Sequence, residues 1–173
     1  MRTLVIGGSA SGKSTYAEIL AVEGSAARYY IATMMPDGQE NLTRIRRHRA
    51  MRAQKSFVTI ECSSGLDRLR LPVRGTVLLE DVGNLAANEL FAPDGAGEWT
   101  VDSILAGITN LEKQCDNLII VSINVSADGN TYDGSTKQYI EILGNVNREI
   151  ALRFDRVVEV VCGIPIVLKG ADS

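Results

Sequence analysis

The chain is poor in the residues that most often build metal centres and crosslinks. It has one histidine and three cysteines. Cys62, Cys115 and Cys162 are far apart, odd in number and without a C-x-x-C spacing. They exclude a disulfide framework and a zinc site, and read as reduced thiols of a cytoplasmic protein. Excess positive charge is also missing, since the formal net charge is −3. That argues against non-specific binding to nucleic acid or to an anionic membrane. No apolar run is long enough to span a bilayer. The first apolar run is short and leads straight into a glycine-rich loop, so no signal peptide is expected. Internal repeats and low-complexity segments are absent. With 173 residues, 45% hydrophobic and 23% charged, the composition is that of one folded domain over residues 1–173.

Against this background one stretch is dense with chemistry: Gly7, Gly8, Ser9, Ala10, Ser11, Gly12, Lys13 and Ser14. It is a complete phosphate-loop pattern, a Gly, four free positions, then Gly-Lys-Ser. Glycines let the backbone curl until several N–H groups converge on phosphate oxygens. Lys13 supplies a point charge for the β- and γ-phosphates. The Ser14 hydroxyl suits Mg²⁺. The flanks fit, because Thr3-Leu4-Val5-Ile6 reads as a buried strand and Thr15 to Ala21 as a helix with Tyr16, Ile19 and Leu20 near one face. A nucleoside triphosphate, GTP or ATP, is the expected ligand.

Beyond the loop, strands and helices alternate, which predicts an α/β fold with a mainly parallel sheet flanked by helices. Strands are expected at Arg28–Ala32, Phe57–Glu61, Thr76–Asp81, Asn117–Ile123 and Val157–Cys162. Helices are expected over Asn41–Arg52, Asn84–Leu90 and Val101–Gln114, with a helical turn from Leu66 to Leu71. Ser126 to Gly134 is polar and glycine-rich, a loop. Ser135-Thr136-Lys137-Gln138 is a capping box that opens a further helix with Tyr139, Leu143, Val146, Ile150 and Phe154 on its core face. Gly163-Ile164-Pro165 then turns into a last edge strand at Ile166–Lys169, giving a C-terminal hairpin.

Ligands in open α/β sheets bind beyond the carboxyl ends of the strands. Thr33, Glu61, Glu80, Asp81 and Asn124 fall at such ends. Glu80 or Asp81 is the natural second partner for Mg²⁺ beside Ser14. Glu80 also has the chemistry to accept from the N–H groups of a guanine edge. His48 lies in Arg44-Ile45-Arg46-Arg47-His48-Arg49. Those arginines suit phosphates, and their charge favours a neutral, nucleophilic imidazole. A solvated basic helix face would carry the same residues.

Together these stretches resemble the adenosylcobinamide kinase/adenosylcobinamide-phosphate guanylyltransferase family of cobalamin biosynthesis, the CobU type. The resemblance is carried by the phosphate loop with Ala17-Glu18, by Tyr30-Ile31-Ala32-Thr33, and by Arg44-Ile45 with His48 and Arg52. Thr59 with Glu61, Leu78-Leu79-Glu80 with Asn88, and Gly144, Asn147 and Ala151 extend it, as do Gly163-Ile164-Pro165 and Lys169. It implies a RecA-like P-loop NTPase fold and a homotrimer. It implies phosphorylation of the adenosylcobinamide hydroxyl, then transfer of GMP from GTP through a guanylylated His48. Gly7 to Ser14 would cradle the nucleotide, with Thr33, Arg52, Glu61 and Glu80 around it. The chain departs from the family pattern at Ala10, where Arg is usual, and at Asn124, where an acid is usual.

Overall fold

The inner strands are written as unbroken apolar runs because they are covered on both faces. Leu78 and Leu79, and Ile119 and Ile120, are all buried. In this computed structural model, which describes residues 1–24, 27–35, 55–124 and 134–170, seven strands form one sheet. They are β1 (Arg2–Ile6), β2 (Arg28–Ala32), β3 (Val58–Glu61), β4 (Thr76–Glu80), β5 (Asn117–Val121), β6 (Arg156–Val161) and β7 (Ile164–Lys169). Their order is β3-β2-β4-β5-β1-β6-β7, parallel throughout except for β7, which runs antiparallel to β6.

The helices are α1 (Lys13–Val22), α2 (Val82–Phe91), α3 (Thr100–Gln114) and α4 (Gly134–Arg153). Helices α2, α3 and α4 cover one face, where Ile31, Leu79 and Ile120 meet Leu85, Ile108 and Ile150. On the other face α1 lays Ala17 and Ala21 on Leu78, Ile119 and Val121. The sheet with flanking helices and the C-terminal edge hairpin are as the sequence predicts. The helix expected over Asn41–Arg52 and most of the loop expected from Ser126 lie outside the described residues.

Several details differ from expectation. The buried face of α1 is Ala17, Glu18 and Ala21, while Ile19 is 51% exposed. Small side chains let the helix lie close on the sheet, and an alanine stripe leaves no trace in a pattern of large apolar residues. The last turn is Cys162–Gly163, with φ of 51° and 80°. This is the paired positive-φ arrangement of a two-residue hairpin. β7 therefore starts at Ile164, and Pro165 pairs with Val160 inside it. An edge strand tolerates Pro because one side of it needs no donor. Helix α4 begins at Gly134, so Ser135 stands inside the first turn instead of before it. Helix α2 starts at Val82, two residues before the expected Asn84, because the Asp81 side chain accepts from the Asn84 N–H at 2.7 Å and caps it.

Gly107 marks where α3 meets the turn at Leu66. A Cβ there would stand 2.6 Å from Leu66 Cβ, and Leu66 is itself buried. In an exposed helix Gly→Ala gains up to about 1 kcal/mol. Here overpacking reverses the sign, and Gly107→Ala is expected to lose roughly 1–3 kcal/mol. Urea unfolding measures it; a raised midpoint would refute the close packing.

Candidate active site

The phosphate loop joins β1 to α1. Gly12 sits at φ 93°, in the left-handed region, immediately before Lys13 opens the helix. Gly7 is closely boxed, since a Cβ on it would stand 2.6 Å from Ser11 Oγ. The Ser11 N–H donates to the Gly8 carbonyl at 3.3 Å and the Tyr16 N–H to the Gly12 carbonyl at 3.1 Å. Lys13 folds over its own loop, its Nζ donating to the Gly8 carbonyl at 3.1 Å. Helix α1 has no side-chain cap and no acid in its first turn. Its N-terminal amides and its positive dipole end are thus left for an anion. Ala10 is exposed and has φ 56°.

Beside the loop, the Ser14 hydroxyl donates to Glu80 Oε1. The other carboxylate oxygen, Glu80 Oε2, is buried and has no partner among the described residues. Burial is the main force on this carboxyl, with the nearby Asp81 carboxylate and Glu18 adding to it. They outweigh the Ser14 hydrogen bond and Lys13, so its pKa is pushed up from 4.5 to about 7. Asp81 is occupied otherwise, as the cap of α2. Of the two acids at the end of β4, Glu80 is therefore the one that meets Ser14. A hydroxyl and a buried carboxylate oxygen with an unused lone pair fit Mg²⁺, which keeps several waters and takes few protein ligands. No group of three metal-binding side chains occurs among the described residues.

The raised pKa has a measurable consequence for the metal-free protein. The folded state holds the Glu80 proton more tightly than the unfolded chain does, so stability is full below about pH 4.5 and falls as pH rises toward about 7. The loss from this group is at most roughly 3 kcal/mol. Glu80→Gln is expected to flatten that slope and to be the more stable protein at pH 8. Denaturant titrations of both proteins at pH 5, 6, 7 and 8 measure this, and parallel slopes would refute it.

The other strand ends are brought level by register. Ala32 aligns with Glu61 on one side and with Glu80 on the other. Glu61 is exposed at the tip of β3. Thr33 is fully buried, and its hydroxyl is taken up by the main chain of β4. It accepts from the Asp81 N–H at 2.8 Å and lies 2.8 and 3.0 Å from the Asp81 and Glu80 carbonyls. Its place is thus behind Glu80, holding the strand end. Asn88, known from the sequence only through the resemblance, has a second-layer position. Its amide donates to the Thr33 carbonyl at 2.8 Å and the Ser63 carbonyl at 3.0 Å, tying α2 to the ends of β2 and β3. The Asn124 N–H donates to the Gly7 carbonyl at 3.2 Å, so the end of β5 holds the start of the phosphate loop.

His48 and Arg52 lie outside the described residues. The chain is picked up again at Lys55, whose Nζ is 2.5 Å from Glu18 Oε2. Glu18 is buried on α1, one helical turn after Ser14. Residue patterning did not flag this ion pair, because Glu18 reads as an ordinary polar helix position.

Comparison with known proteins adds two kinds of likeness. The family model described as cobinamide kinase / cobinamide phosphate guanyltransferase matches residues 3–168. The chain is 32% identical over 172 residues to the bifunctional adenosylcobalamin biosynthesis protein CobP of Pseudomonas aeruginosa, covering 98% of each chain. It is 30% identical over 184 residues to CobU of Salmonella typhimurium and 31% over 183 residues to CobU of Escherichia coli, in both cases covering 98% of this chain and 100% of the relative. Among solved structures it is similar to an ATPase of a bacterial type III secretion system, with a TM-score of 0.51 at 12% identity, over 91% of this chain and 50% of that one. A KaiC-like protein from Pyrococcus horikoshii gives 0.50 at 11% identity, over 91% of this chain and 71% of that one. These two likenesses bear on fold alone, and they make it a RecA-like P-loop fold.

Proposed function

We infer the reaction from one premise: this chain belongs to the cobinamide kinase / cobinamide phosphate guanyltransferase family. It is accordingly a kinase and nucleotidyltransferase of adenosylcobalamin biosynthesis. The finer reading is that it phosphorylates the hydroxyl of adenosylcobinamide and then joins GMP from GTP to that phosphate through His48. The observation that carries its phosphoryl-transfer part is the Ser14–Glu80 pair beside an intact phosphate loop; the part given to His48 rests on membership of the family.

In this reading the loop amides and Lys13 hold the triphosphate and stabilise charge on the transferring group. Ser14 and Glu80 would hold Mg²⁺, which supplies charge neutralisation across the phosphates. Thr33 and Asn88 keep Glu80 in place. Glu61, exposed at the tip of β3, would serve the nucleotide too, and so would Arg52, as the family likeness implies. In the second reaction a His48 nitrogen attacks the α-phosphorus of GTP, a P–N bond forms, and the α–β bridging P–O bond breaks to release pyrophosphate. A phosphate oxygen of adenosylcobinamide phosphate then attacks the same phosphorus and frees the histidine. The covalent stage divides one transfer between two anions into two in-line displacements.

The trimer belongs to the same proposal. Ile164, Ile166 and Leu168 stand 65%, 46% and 55% exposed along the β7 edge, an apolar stripe of the kind that edges cover by association. Light scattering on the purified protein measures the oligomer.

The deciding experiment offers the protein adenosylcobinamide with ATP or GTP and follows the corrinoid by mass spectrometry. Adenosylcobinamide phosphate, then adenosylcobinamide-GDP with pyrophosphate, is the expected sequence. No product from either nucleotide overturns the reading. A second reading, a kinase without the guanylyl step, is favoured by Asn124 at a strand end where the family usually has an acid. Phosphorylated corrinoid without pyrophosphate release would select it.

A further inference from the structure

The C-terminal hairpin reaches the phosphate loop from a side that the reaction chemistry leaves unused. The Gly163 N–H donates to the Ser11 carbonyl at 2.8 Å. A Cβ on Gly12 would stand 3.2 Å from Gly163 Cα. Two stretches of backbone therefore touch there with no side chain between them. The far end of the hairpin is fixed as well. Lys169 Nζ donates to the carbonyls of Ala151 and Leu152, each at 3.0 Å, in the last turn of α4. That is where a helix favours a cation. β7 is thus a strut, seated on α4 at its base and on Ser11–Gly12 at its tip.

We propose that Gly163 is a positioning residue for the nucleotide. The Ser11 carbonyl and the Gly12 N–H belong to one planar trans peptide unit and point in opposite directions. Holding the carbonyl on the hairpin turns the Gly12 N–H to the opposite side, where the loop receives phosphate. If that plane flipped, a carbonyl would replace a donor against the anion. Gly163 can make this contact because φ 80° is open to glycine and costly for most residues. A Cβ on Gly163 would meet nothing within 4 Å. A substitution there acts through the backbone, not through a clash.

The inference rests on nucleotide binding at Gly7–Ser14, and the test separates the two. A fluorescent GTP analogue is titrated into the full chain and into Gly163→Val and Gly163→Asn, with thermal midpoints taken without nucleotide. Asn tolerates the left-handed region, whereas a β-branched residue does not. Val is expected to weaken binding by about tenfold or more, about 1.4 kcal/mol. Asn should stay within about twofold of wild type, since it keeps the turn. Equal binding by wild type and Val overturns the proposal, and so does equal loss in Val and Asn. Should Val fail to fold, Gly163→Ala replaces it under the same criteria. If wild type binds no nucleotide, the reading of the loop falls and this proposal with it.

Discussion

Lys13→Ala is expected to reduce both phosphoryl and guanylyl transfer by roughly 10²–10³-fold, the cost of removing one preorganised donor from developing phosphate charge. The ammonium is a point charge with three donors. Among the hydrogen bonds described, its own donor contact is to the Gly8 carbonyl, which belongs to the same loop. Removing it takes a partner from the triphosphate without opening the core, so the thermal midpoint should move little. Lys13→Arg should not restore the rate, because a planar fork does not replace a compact ammonium. Steady-state assays of each half-reaction, alongside a thermal melt, measure the effect. Unchanged rates in a folded Lys13→Ala protein would remove the phosphate loop from the mechanism.

His48→Ala is expected to abolish covalent labelling by GTP carrying label in its α-phosphate. Wild type should form an acid-labile phosphoramidate, and the variant should stay at background. Formation of adenosylcobinamide-GDP should fall by at least on the order of 10³-fold, the scale seen when a nucleophile is deleted. The kinase half-reaction with ATP should continue, because nothing in it needs the imidazole. This split is what distinguishes a nucleophile from a residue that merely holds phosphate, whose loss would weaken both steps. Wild type labelling no better than the variant would refute the covalent route.

The legibility of these features from sequence followed their physics. The phosphate loop could be read in full because its function depends on local spacing, and glycine, lysine and serine are each there for a separate reason. The strand ends were legible for the same cause: an apolar run that stops in Glu80-Asp81 marks both a core and its boundary. Which of the two acids faces Ser14 was not legible. That depends on Asp81 capping α2, and the helix start moves by two residues once the cap is recognised. Thr33 read as a nucleotide neighbour, yet its hydroxyl is spent on the backbone of β4. Side-chain direction at a strand end is a tertiary fact. The hairpin turn was displaced for a similar reason, since Gly-Ile-Pro looks like a turn until Pro165 is seen to pair on an edge. The buried face of α1 escaped because alanines carry little hydrophobic signal and much packing value.

The sheet order also sets a timetable for synthesis. β1, which carries the phosphate loop, lies between β5 and β6, with Arg2 aligned to Leu118 and Thr3 to Arg156. This strand precedes every other strand of the sheet in the chain, yet is among the last to find both neighbours. Such distant pairing slows folding, because loop closure precedes the contacts that repay it. A nascent chain leaving the ribosome N-terminus first would carry an apolar β1 with neither neighbour until β5 is made, and without its second until β6 follows. The nucleotide site, whose loop follows β1, is therefore completed only when β6 and the hairpin after it are in place.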